Sequence, residues 1–168
     1  VAKGARFITG SILDTSALAQ SLEGCAAVLH FAAKSIVGES VASPELYEDV
    51  NVNGSKKLLA QMELSGINSL VFSSSAATYG EPKRLPITEE SEGVPTSPYG
   101  ATKLTVDRLI TAKSATGLAA ISLRYFNVAG AHKAEVGWLA ERHNPETHLI
   151  PNLLRATKKS PLKVFGDD

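Results

Sequence analysis

Two short stretches hold side chains that could act together on an alcohol. In S-P-Y-G-A-T-K (97–103), Tyr99 stands four residues before Lys103. On a helix that spacing puts both on one face, about 6 Å apart along the axis. A tyrosine phenol titrates near ~10 and is a poor base at neutral pH. An ammonium beside it favours the phenolate, and a phenol tuned in this way can take a proton from a hydroxyl group. In S-L-V-F-S-S-S (69–75), a strand-like run ends in three serines. Ser75, at its end, could hydrogen-bond the same hydroxyl and relay the proton. Neither piece is specific alone: Y-x-x-x-K recurs by chance, and serines at a strand end commonly serve a turn. The order is far rarer, with a strand-end serine, a loop, Y-x-x-x-K opening a helix, and then another strand.

Elements of the right kind surround these residues. A-R-F-I-T-G (5–10) reads as a strand, and S-A-L-A-Q-S-L (16–22) as a short helix capped by Asp14 or Thr15. The apolar run A-A-V-L-H-F-A-A (26–33) reads as a strand buried on both faces. K-S-I-V-G-E-S (34–40) reads as a loop, and Pro44 to about Ser65 as a helix that Gly66 stops. The run 69–75 is a strand, and 80–98, with its prolines and polar residues, a surface loop. Tyr99 to Ala115 is a helix and 119–127 a strand. After Gly130 the pattern loosens, with a short helix at 150–158 and a short strand at 162–165. This alternation predicts an α/β fold, a doubly wound parallel sheet with right-handed crossovers and helices on both faces. Ligands of such sheets bind beyond the carboxyl ends of the strands. Ser11, Lys34, Ser35, Ser73 to Ser75 and Asn127 are the polar residues that fall there.

Composition narrows the function classes. The 168 residues suffice for one domain with a sizeable core. Seventeen basic residues balance seventeen acidic ones, which gives no electrostatic case for nucleic acid or an anionic membrane. No segment approaches the ~20 apolar residues of a membrane span. The first ten residues lack the long apolar run of a secretion signal, and N-G-S (53–55) is therefore read as a chance glycosylation match. The lone cysteine, Cys25, lies in an apolar run and is expected to be a small buried hydrophobe. His30, His132 and His143 show no metal-ligand spacing, so no metal is assigned.

Longer stretches carry a resemblance. H-F-A-A-K-S-I-V-G-E-S (30–40), N-V-N-G (51–54), F-S-S-S-A-A-T-Y-G (72–80) and S-P-Y-G-A-T-K (97–103) are followed by L-R-Y-F-N-V-A-G-A-H (123–132), E-T-H-L-I-P (146–151) and V-F-G (164–166). Together they resemble the UDP-glucose 4-epimerase branch of the extended short-chain dehydrogenase/reductases, in family order over nearly the whole chain. V-G-E-S and R-Y-F-N-x-x-G-A-H are much more specific than Y-x-x-x-K.

The resemblance implies a Rossmann-like fold with NAD as cofactor, a UDP-hexose substrate and epimerisation at C4 through a transient 4-keto sugar, in galactose metabolism. It gives catalytic roles to Ser75, Tyr99 and Lys103. It places Ser11 and Ile12 at the adenine, Phe31, Ala32, Ala33 and Lys34 along the dinucleotide, and Tyr125 near the nicotinamide. It turns Asn127, His148 and Leu149 toward the UDP-sugar and Phe165 toward the uracil. A cytoplasmic homodimer formed through a helix pair is also implied. Family members often carry Asp where Ser11 stands, Lys at Ser35 and Asn at His148, so those contacts are expected to differ here. No G-x-x-G-x-x-G follows an opening strand. On that ground the chain is expected to lack the first two strands and most of the C-terminal substrate domain. Residues 1–130 would then be a partial NAD-binding domain and 131–168 the start of the substrate region, inactive by themselves. Three alternatives stay open. The first is another nucleotide-sugar 4-epimerase. The second is a 4,6-dehydratase, opposed by Ala76 and Ala77 where those enzymes carry Asp-Glu. The third is a non-catalytic nucleotide-sensing protein on the same fold.

Overall fold

A computed structural model of the protein describes residues 4–135, 137–140, 146 and 148–163. The chain divides into two units, Val1–Phe126 and Asn127–Asp168. The first opens with α1 (Thr15–Leu22), which Asp14 caps by accepting from Ser16 N (2.9 Å) and Ala17 N (3.2 Å). Then come β1 (Val28–His30), α2 (Val37–Ala42), α3 (Pro44–Tyr47), a π-helical turn (Glu48–Asn53) and α4 (Gly54–Leu64). Gly66, at φ 68°, ends α4, and Ile67 N bonds back to Met62 O at 2.9 Å. β2 (Ser69–Ser75), a 3₁₀ turn (Ala76–Thr78), α5 (Pro98–Ser114) and β3 (Ala119–Tyr125) complete the unit.

The three strands form a parallel sheet in the order β1-β2-β3. Side chains alternate across it. His30, Leu70, Phe72 and Ser74 share the face on which the helices lie, and all four are buried. Leu18, Leu58, Met62, Val106 and Ile110 close the core against that face. Burial of this apolar surface is what holds the helices on the sheet. The opposite face carries Leu29, 65% exposed, and Ile121, 59% exposed. Within the first unit the described helices lie on the one face, and the parallel sheet joined by helical crossovers is the α/β arrangement expected.

Three expectations change. Residues 5–10 belong to no strand, because no described segment pairs with them, and a strand exists only through its ladder. Residues 37–40, expected as part of a loop over 34–40, belong to the helix α2 (Val37–Ala42). Cys25 is exposed and not buried: it sits in the turn after α1, before β1 begins at Val28, and its Sγ donates to Ser21 O at 3.4 Å.

His30 is a core residue. Ser55 Oγ donates its hydrogen to Asn51 O at 2.5 Å, which leaves it to accept from His30 Nε2 at 2.8 Å. Burial, with the Lys103 charge adding to it, pushes the imidazole down to about 4, so the ring is neutral at physiological pH.

The second unit contains a hairpin, β4 (Ala131–Ala134) with β5 (Gly137–Ala140), and the helix α6 (Leu149–Arg155). The hairpin falls in the stretch where the sequence pattern loosens. Of the expected strand 162–165, Leu162 and Lys163 are not in a strand, and the rest lies outside the described residues. No described helix is long and apolar enough to cross a membrane.

Candidate active site

The site grows from the carboxyl end of β2. Ser75 ends the strand, and its Oγ accepts from Ala77 N at 3.2 Å, turning the chain into the 3₁₀ turn. The start of α5 meets that turn. Ser97 caps the helix by accepting from Gly100 N at 3.1 Å, and Pro98 occupies its first position, where a missing N–H does no harm. This is why a Ser-Pro pair precedes Tyr99: it fixes where the helix begins. Gly100 sets how close it comes, since a Cβ there would lie 2.4 Å from Ala77 O. Substitution G100A is expected to push the Tyr99 turn off the Ser75 turn. The cost should be about 1–3 kcal/mol of stability and at least a tenfold loss of kcat, to be checked by denaturant midpoint and turnover.

Tyr99 is held from three sides. Its backbone N donates to Ser40 Oγ at 3.1 Å, and that hydroxyl, on α2, donates to Val37 O at 2.6 Å. The ring of buried Tyr47 stands edge-on to the Tyr99 ring, 6.4 Å between centroids. The Lys103 ammonium lies 5.9 Å from the Tyr99 ring centroid. Lys103 is 4% exposed. Its Nζ donates to Ser73 O at 2.7 Å and sits 4.9 Å over the Phe72 ring. Burial pushes this ammonium down to about 8, and the Asp107 charge pushes the other way.

The loop after β1 is clamped to the same helix. Asn51, inside the π-helical turn, accepts from Lys34 N at 2.8 Å and donates to Lys34 O at 3.0 Å and to Thr102 Oγ1 at 3.1 Å. The π turn lets a polar side chain face inward from an otherwise apolar stripe, a distortion common at functional sites. Glu39 receives Lys34 Nζ at 2.9 Å and the Tyr47 hydroxyl at 2.7 Å. Burial and the Glu39 hydrogen bond push the Tyr47 phenol up to about 12, so it stays protonated.

Unit 1 thus brings Ser75, Tyr99, Lys103 and Tyr125 to one end of the sheet, with Tyr125 in register opposite Ser75. Phe31, 60% exposed, Ala32 and Ala33 follow β1, and the side chain of Lys34 points to Glu39. Ser11 forms a tight turn, its Oγ accepting from Leu13 N at 3.1 Å. Ile12 packs on Gly54, where a Cβ would come within 2.7 Å of it. In unit 2, Asn127 is exposed, and His148 precedes α6 with its N and Nδ1 each 3.0 Å from Glu146 Oε1. Leu149 is the first residue of α6 and exposed. Phe165 lies outside the described residues. Ser40, Tyr47, Asn51 and Asp107 were not singled out from the sequence. Their signal there is faint: a polar side chain on the apolar stripe of a helix.

All 168 residues match the profile described as the NAD dependent epimerase/dehydratase family. The chain is 47% identical over its whole length to a UDP-glucose 4-epimerase of Streptomyces lividans, covering 52% of that protein. It is 50% identical over 98% of its length to one from Corynebacterium glutamicum, covering 50% of it. Among solved structures, UDP-glucose 4-epimerase from Brucella ovis in complex with NAD superposes on 90% of the chain with a TM-score of 0.83 and 43% identity, over 47% of that chain. The chain spans about half the length of these relatives.

Proposed function

The chain belongs to the NAD dependent epimerase/dehydratase family, and we propose that it carries the catalytic centre of a nucleotide-sugar 4-epimerase interconverting UDP-galactose and UDP-glucose. In this reading Tyr99 takes the proton of the sugar 4-hydroxyl and later returns it. Ser75 hydrogen-bonds the same oxygen, and Lys103 supplies a buried positive charge beside the phenol. NAD held at this surface would supply the redox chemistry at C4, as a reversible acceptor of hydride. One observation carries the proposal: a buried ammonium lies 5.9 Å from the centre of the Tyr99 ring at the end of β2. Lysines with no role inside commonly keep the charged head in water.

The residues present fit the cofactor. Lys103 has three N–H donors, and Ser73 O is the one acceptor it meets among the described residues, so donors remain for a ribose diol. Phe31 presents an exposed ring at the sheet's carboxyl edge, and Ala32 and Ala33 leave the backbone approachable. Ser11, Ile12 and Tyr125 belong to the same cofactor surface in this reading, and Asn127, His148, Leu149 and Phe165 to the UDP-sugar. A place in galactose metabolism, a cytoplasmic location and a homodimer formed through α4 and α5 complete it. Dehydration is disfavoured because the 3₁₀ turn opens with Ala76 and Ala77, which offer no acid.

The test is direct. The full-length protein, purified and supplied with NAD, is given UDP-galactose, and UDP-glucose is measured. Interconversion is expected. Bound NAD without interconversion would favour the nucleotide-sensing alternative.

A further inference from the structure

We propose that Asp107 is a positioning residue acting on Lys103: from the next turn of α5, its buried carboxylate bolts the helix to β2 and β3 and stands as the shared counter-charge of Lys103 and Arg124. This rests on the assignment of Lys103 and Tyr99 as the catalytic pair.

The geometry is layered. Asp107 is 4% exposed. Its Oδ2 accepts from Ser74 Oγ at 3.0 Å and from Arg124 Nε at 2.9 Å. Ser74 and Arg124 are paired in register across β2 and β3, and the next pair along the strands is Ser75 with Tyr125. The bolt therefore sits one strand level beneath the site and one helical turn beyond Lys103. Two successive residues of β2 hold α5, the Ser73 carbonyl through Lys103 and the Ser74 hydroxyl through Asp107. Arg124 extends the tie further, donating to Tyr79 OH at 3.0 Å and to Glu89 O at 3.3 Å in the loop that follows the strand end.

Charge points the same way. Asp107 Oδ1 is buried without a hydrogen-bond partner among the described residues. The negative charge is thus tied through one oxygen only, and its field acts on its neighbours across a poorly screening interior. The groups that face it are Lys103 one turn earlier on its own helix, Arg124 on β3 and Ser74 on β2, with the Tyr79 hydroxyl behind Arg124. One carboxylate thus stands among two cations. The same carboxylate opposes the downward push that burial exerts on Lys103. Without it, a buried ammonium and a guanidinium would stand uncompensated.

Substitution D107N keeps an acceptor for Ser74 and Arg124 and deletes the charge. In the full-length protein, the titration of Lys103 is followed against pH by NMR of isotope-labelled lysine side chains, with K103M identifying its signal. We expect the midpoint of that titration to fall by about one pH unit and kcat to fall about tenfold, with KM for UDP-galactose changed less than threefold. An unmoved Lys103 midpoint in folded D107N overturns the proposal. A shifted midpoint in a protein whose wild type converts no UDP-sugar sustains it and sinks the epimerase assignment instead, so the two failures are told apart. Should D107N not fold, S74A takes over, since it removes one arm of the bolt and keeps the charge. A several-fold loss of kcat at unchanged KM and unchanged Lys103 midpoint is then the expected result, and wild-type turnover in S74A overturns the proposal.

Discussion

Substitution Y99F is expected to lower kcat for UDP-galactose conversion by about 10²–10⁴-fold, the range that a positioned general acid or base contributes. KM and melting temperature should change little, because phenylalanine deletes one oxygen and keeps everything else that holds the residue. The backbone bond to Ser40, the edge contact with Tyr47 and the ring face beside Lys103 all survive. Turnover and thermal denaturation, measured side by side, check this. Wild-type turnover in Y99F would remove the assignment altogether. Tyr47 is the natural control. Its hydroxyl meets Glu39 and Ile36, and its phenol is pushed up to about 12, so substitution there should cost stability and leave the proton chemistry at Tyr99 in place.

Substitution K103M is expected to separate activity from stability. Activity should fall by at least ~10²-fold, because the buried positive charge beside the Tyr99 ring is removed. Stability near neutral pH should change by no more than about 2 kcal/mol, since relief of the buried charge is offset by loss of the bond to Ser73 O and of a positive neighbour for Asp107. The pH dependence follows from linkage. The ammonium is lowered from 10.5 to about 8 in the folded chain. Below about pH 8 both states are protonated, and the cost of burying the charge is fully present. Between about 8 and 10.5 the unfolded chain holds a proton that the folded chain has lost, so Lys103 makes stability rise with pH there. Wild-type activity should run the other way and decline as pH climbs through about 8. Chemical denaturation at pH 7 and pH 9.5, for wild type and K103M, reads the stability arm. A K103M protein that loses both turnover and several kcal/mol of stability would show that Lys103 is structural.

Several elements were legible because their signals are local. The strand 69–75 appears with the expected bounds, since a short apolar run ending in polar residues needs only its own composition to be recognised. The helix expected over Tyr99 to Ala115 spans Pro98–Ser114, one residue earlier at each end, with Ser97 as its cap. A parallel sheet followed from the alternation of such runs. Residues 5–10 misled for the complementary reason: an apolar, extended-looking run says nothing about whether a neighbour exists to pair with it. Val37–Ala42 misled in the other direction. Glycine and β-branched valine make a poor helix, and this one is supported from elsewhere, through Ser40 at Tyr99 and Glu39 at Tyr47.

By itself, then, the sequence determined which side chains are candidates for chemistry, Tyr99 and Lys103 at helical spacing and Ser75 at the end of a strand. It also determined the kinship to the NAD dependent epimerase/dehydratase family. Only the tertiary structure decided what holds them. Ser40 meets Tyr99 across 59 residues, Asn51 meets Thr102 across 51, and Ser74 meets Asp107 across 33. Periodicity and capping act over one or two turns of chain, whereas a buried polar group is satisfied by whatever the fold brings to it, and that partner is written nowhere near it in the sequence.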